Sequence, residues 1–142
     1  MSSSTGEQLM LSTLLTVRKE GLLMIAGHYP CTPRADLGGD GDSLVVNAGR
    51  DLMRTVFLIG MVRQNYDKEV DVRDPLYLPV YAGYDKTFPP CVISVGMRDS
   101  LLSSGVRLYW RLREYAGSGA DEACCERILK QLMRQNSLKS VP

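Results

Sequence analysis

The chain has 142 residues, 44% hydrophobic and 23% charged, which fits one globular domain, with disorder not the default expectation. Seventeen basic residues meet sixteen acidic ones for a formal charge of +1, so no net field argues for nucleic acid or an anionic membrane as partner. Arg18 and Lys19 follow the first apolar stretch instead of preceding it, the wrong order for a secretory signal, and no apolar run is long enough to span a bilayer; the expected location is the cytoplasm.

From Gln8 to Glu20 the leucines recur at helical spacing (Leu11, Leu14, Leu15), with Gly21 as a stop, which predicts a helix. "IAGHYPCTP" reads as a strand, although Pro30 removes a ladder donor. "RADLGGDGDSLVVNAGRD" reads as loop. "GRDLMRTVFLIGMVRQNY" reads as a helix with Asp51 as N-cap and apolar residues around most of its circumference, hence buried on more than one side.

The prolines of "DVRDPLYLPVYAGYDKTFPP" (Pro75, Pro79, Pro89, Pro90) predict a long extended connection. "CVISVG" is a short β-branched run closed by glycine, the pattern of a strand buried on both faces of a parallel sheet. Ser100 to Ala116 is the next predicted helix, with Ser103 or Ser104 available as cap and Gly117 as stop. Beyond it Cys124, Cys125, Ile128, Leu129, Leu132 and Met133 share one stripe of an amphipathic helix. The order places the chain in the α/β class. It supplies only two good strands where sheets usually have about four to six.

Cys31, Cys91, Cys124 and Cys125 form no C-x-x-C pair, and His28 is the only histidine, so neither a metal site nor a cofactor is expected. The thiols read as small buried apolar groups. Asp99 stands three residues after Gly96 at the carboxyl end of the "CVISVG" strand, where open α/β sheets collect catalytic groups. Two readings are open from spacing alone: a functional acid, or a cap for the following helix.

"DVRDPLYLPVYAGYDKTFPPCVISVGMRDSLLSSGVRLYWRLREYAG" resembles the hormone-sensitive-lipase-like carboxylesterase branch of the α/β-hydrolase superfamily. Asp74-Pro75, Pro79, Tyr81-Ala82, Pro89-Pro90, Val95-Gly96, Asp99, Leu101, Val106-Arg107-Leu108 and Ala116-Gly117 fall in its register. Thr32-Pro33, Asp36-Leu37 and Asn47-Ala48 continue the match, and "STGEQLMLSTLLTVRKEGL" resembles the helix after the nucleophile. The resemblance implies Ser4 at the nucleophile position, Gly6 at the second glycine of G-x-S-x-G, and Asp99 as the acid that orients a catalytic histidine. It covers Ser4 to Gly117.

Departures accompany it. Ser2 and Ser3 stand where the elbow has a glycine and an acid, Pro30 replaces an aliphatic residue and Arg34 a common tryptophan. No H-G-G-G type loop precedes the elbow, and the catalytic histidine is absent: none occurs after Asp99, and His28 lies at the amino end of its strand, away from the Asp99 face. The expected fold is therefore a partial α/β-hydrolase fold, parallel strands with flanking helices and an incomplete sheet, over residues 1–117, followed by a divergent helical tail over 118–142. The expected function is that of a serine carboxylesterase or lipase-like family acting on a small acyl ester, with this chain inactive as it stands. The alternative is a non-catalytic interaction or regulatory protein. Its apolar surface would be covered by a second copy or a protein partner; nucleic acid is not expected as one.

Overall fold

The computed structural model describes residues 1–36, 40–53, 57, 59–61, 71 and 73–116. Strand β1 (Ser2–Ser4) runs without a loop into helix α1 (Thr5–Lys19). Leu11, Leu14 and Leu15 bury one face of α1, as their spacing predicts. The helix begins three residues earlier than the apolar period signals, because its first turn carries the exposed Thr5 and Gly6. Gly21 follows at φ 65°, left-handed backbone that glycine adopts without strain.

Strand β2 (Pro30–Pro33) pairs in parallel with β1, Ser2 opposite Pro30, Ser3 opposite Cys31 and Ser4 opposite Pro33. The continuous "CVISVG" strand is not formed. Cys91 and Ser94 make only isolated parallel bridges, to His28 and Cys31, and residues 91–95 are half-buried. The hydrogen bonds give the reason. His28 N–H donates to the Pro90 carbonyl, Val92 N–H to His28, Ser94 N–H to Pro30 and Thr32 N–H to Ser94. The missing rung is the N–H that Pro30 does not have.

The stretch expected as loop contains a one-turn helix, α2 (Ser43–Val46). Of the helix expected after Arg50, Phe57 and 59–61 are helical; Ile59 is buried, whereas Phe57 and Met61 are exposed, so these positions are not buried on several sides. The helix start that Asp51 is expected to cap lies outside the described residues; the carboxylate accepts the Met53 and Ser100 N–H groups, at 2.9 Å each. The proline-rich connection turns through a 3-10 helix at Pro79–Tyr81, with Pro79 in its first position. Far from lying outside the fold, it supplies Leu78, Val80, Ala82, Tyr84 and Phe88 to the core.

Helix α3 (Leu102–Ala116) starts two residues later than predicted and contains Ser103 and Ser104 within its first turn, so neither stands before it as an N-cap. Ser104 has another task. Its buried Oγ accepts the Ala35 and Asp36 N–H groups and donates to the Pro33 carbonyl at 2.7 Å, tying α3 to the end of β2. Arg107, one turn on, pairs with the buried Asp36 and, at 3.1 Å, with Asp40. α1 packs against β1 and β2, and α3 against β2 and the 3-10 turn. The tail expected over 118–142 lies outside the described residues.

Candidate active site

Ser4 ends β1 and immediately precedes α1, with φ 53° and ψ −121°. For a residue with a Cβ this is strained backbone, tolerated where the surrounding structure fixes it. The β1–β2 pairing holds Ser4 from one side: the Arg34 N–H donates to its carbonyl at 3.4 Å. α1 holds it from the other. The Ser4 side chain does not cap the helix and is exposed. Thr5 opens α1, so its N–H has no intrahelical acceptor and points with the helix dipole towards the turn. A hydroxyl on such a turn, beside a free helix N–H, is placed to attack a carbonyl and to have the resulting oxyanion stabilised.

A cavity of about 320 Å³ opens on this turn, lined by Ser4, Thr5, Thr32 and Arg34 on one side and by Asp51, Ile59 and Asp99 on another. The structure thus brings Ser4 and Asp99 to one cavity. The Asp99 loop is fastened from several directions. Its Oδ1 accepts the Leu101 N–H at 2.7 Å, and its carbonyl accepts the Asn47 side-chain amide at 2.9 Å. Asp51 holds the next residue through the Ser100 N–H. Asp99 therefore organises the turn before α3, as the capping reading expects, and is also a residue of the cavity lining.

His28 is elsewhere. It is 5% exposed, and its Nε2 lies 2.7 Å from Glu7 Oε1 and 3.4 Å from Ser2 Oγ. Ser2 donates to the other Glu7 oxygen. The buried Glu7 and His28 and the half-buried Ser2 form a cluster joining β1, α1 and the segment that leads into β2. Both contacts of the imidazole fall on one nitrogen, and neither reaches Ser4. Glu7 is the residue that sequence reading passed over. The available signal was its position: four residues before Leu11 on the apolar stripe, where a carboxylate needs a buried partner, and the chain has one histidine. Asn47 served only as a register mark in sequence; its grip on the Asp99 loop is visible in three dimensions alone.

Among the described residues no group of His, Cys, Asp and Glu has the arrangement of a metal site. Burial, then the charge of Glu7, pushes the Cys91 thiol up to about 12; Tyr84 is raised as well, chiefly by burial.

Residues 2–127 match the alpha/beta hydrolase fold family. The chain belongs to that family. Solved structures similar to the chain include hormone-sensitive-lipase-like esterases. It is similar to the esterase E25 (33% identity, TM-score 0.71, 84% of this chain and 36% of that one). It is also similar to a hormone-sensitive lipase from a metagenome library (32% identity, TM-score 0.73, 80% and 38%). A third likeness is to EstE5 in crystals soaked with p-nitrophenyl butyrate (31% identity, TM-score 0.69, 77% and 37%). The chain spans less than two fifths of the length of these relatives. No curated protein matches it. No helix among the described residues is long and apolar enough to cross a membrane.

Proposed function

We propose that residues 1–117 carry the nucleophile-and-acid part of a serine esterase site, with Ser4 as nucleophile, Asp99 as the acid that orients a histidine, and a small acyl ester as the substrate class. One observation carries the proposal: Ser4 sits on a strained strand-to-helix turn and shares its cavity with Asp99. In the reaction the Ser4 hydroxyl adds to the ester carbonyl, a base takes its proton, the Thr5 N–H faces the oxyanion, and the alcohol leaves with that proton. The base is what these residues do not provide. His28, the one histidine of the 142 residues, is held by Glu7. Loss of the base from such a triad costs about a million-fold in turnover. On their own these residues therefore bind ester but do not turn it over at a measurable rate.

The second reading, a non-catalytic interaction protein, is supported by exposed Leu9, Leu22, Leu23, Leu52 and Phe57, an apolar surface suited to a second copy or a protein partner. Chemical rescue separates the two. Imidazole added with p-nitrophenyl butyrate replaces the missing base, and mass spectrometry should find a butyryl group on Ser4 and none in Ser4→Ala. Absence of that adduct would remove the site assignment and leave the interaction reading. Ser4-dependent turnover without imidazole, following a histidine-like pH profile, would overturn the proposed inactivity alone.

A further inference from the structure

Among the described residues, only Ser4 and Thr32 adopt positive φ without being glycine. Both line the same cavity. Thr32 is the more demanding case, because a β-branched side chain at φ 50° crowds its own backbone. The strand register shows how it is held. Ser3 faces Cys31 and Ser4 faces Pro33, so Thr32 is one residue too many on β2 and has no opposite number on β1. Such a bulge breaks the alternation of the strand and re-aims a side chain. The Thr32 N–H is fixed by the Ser94 carbonyl at 2.8 Å, and Thr32 lines the cavity next to Pro33, the residue that pairs with Ser4. No described group takes its hydroxyl as a hydrogen-bond partner. Glycine would adopt this backbone freely and present nothing to the cavity.

We infer that Thr32 is a binding residue of the ester site: its hydroxyl hydrogen-bonds an oxygen of the ester held at Ser4. This rests on the ester-site reading above. An ester whose carbonyl carbon is within reach of Ser4 Oγ has its two oxygens within a bond or two of that point. The strand beside Ser4 presents Thr32 to that space.

The test is the affinity of p-nitrophenyl butyrate, by ligand-observed NMR, for the full chain carrying Ser4→Ala, which cannot be acylated at that position. Adding Thr32→Gly should weaken binding about three- to tenfold, the loss of one neutral hydrogen bond, without lowering Tm, since glycine relieves the positive φ. Thr32→Val, which keeps the shape and lacks the hydroxyl, should weaken it equally; Thr32→Ser should hold affinity within about twofold. Unchanged affinity in Thr32→Gly or Thr32→Val overturns the role of Thr32 while the ester site stands. No binding to the Ser4→Ala chain at all overturns the ester-site reading and the inference with it.

Discussion

A carboxylate with no solvent contact needs partners, and Glu7 has two, Ser2 on β1 and His28 just ahead of β2. Removing one member of such a pair leaves the other buried without compensation, so Glu7→Ala should cost about 3–5 kcal/mol in urea unfolding. Replacing both Glu7 and His28 by leucine should cost much less, because an apolar pair of similar volume needs no compensation. Asp99→Asn keeps an acceptor for the Leu101 N–H and should lower stability by about 1 kcal/mol or less; a loss of several would mean that its charge is held by a network beyond the contacts described. Cys91 gives a pH signature. Its folded pKa, raised from 9.0 to about 12 by burial and by Glu7, favours the neutral thiol in the folded state. That contribution is complete below pH 9 and is lost as pH rises towards 12, by at most about 1.4 kcal/mol per unit for one group. Unfolding free energies between pH 8 and 11 should fall accordingly, and Cys91→Ala should flatten the decline.

At the scale of elements, α3 is joined to the end of β2 by Ser104. A Cβ on Gly105 would stand 3.5 Å from Pro33 Cγ of β2 and 3.2 Å from Val95 Cγ2, so helix and strand approach closely there. Close approach is what allows one hydroxyl to serve two backbone N–H groups and a carbonyl. Ser104→Ala strands all three in the interior, at about 1–3 kcal/mol each. The expected loss is at least about 3 kcal/mol by denaturant unfolding, far above the few tenths typical of a surface Ser→Ala change; a loss below 1 kcal/mol would show that water replaces the hydroxyl. The same junction positions the site, since Asn47, Asp51 and Ser43 fasten the turn between the "CVISVG" segment and α3.

Taken whole, the described residues hold a two-stranded parallel sheet with two further bridges, and β1 is paired on one side only. So small a sheet gains little stability by itself, and an open edge invites pairing. Leu22, Leu23 and Leu52 add exposed apolar surface, Leu23 at 98% and Leu52 at 102% of full exposure. The chain should self-associate: sedimentation at rising concentration should show a shift to larger species, together with binding of a dye specific for apolar surface. A monodisperse monomer across that range, without dye binding, would contradict this. The division into a hydrolase part over 1–117 and a helical tail over 118–142 is part of the same proposal, and deletion of the tail should increase dye binding.

What the sequence determined by itself were features set by local chemistry and by motif: the leucine face of α1, the glycine after it, and the hydrolase family through the run from Asp74 to Gly117. Pro30 was legible too, as a missing donor. That its absence falls on the one rung that would have joined Cys91 to Ser94 in a continuous strand depended on register, which no local pattern fixes. Ser103 and Ser104 were legible as hydroxyls near a helix start, yet whether a hydroxyl caps its own helix or serves a neighbouring strand depends on which backbone passes within 3 Å. The tertiary structure alone decided that Glu7 and His28 meet and that Ser4 and Thr32 strain their backbones on one cavity. These residues lie tens of positions apart in sequence, and what brings them together is the packing of α1 and α3 on two short strands.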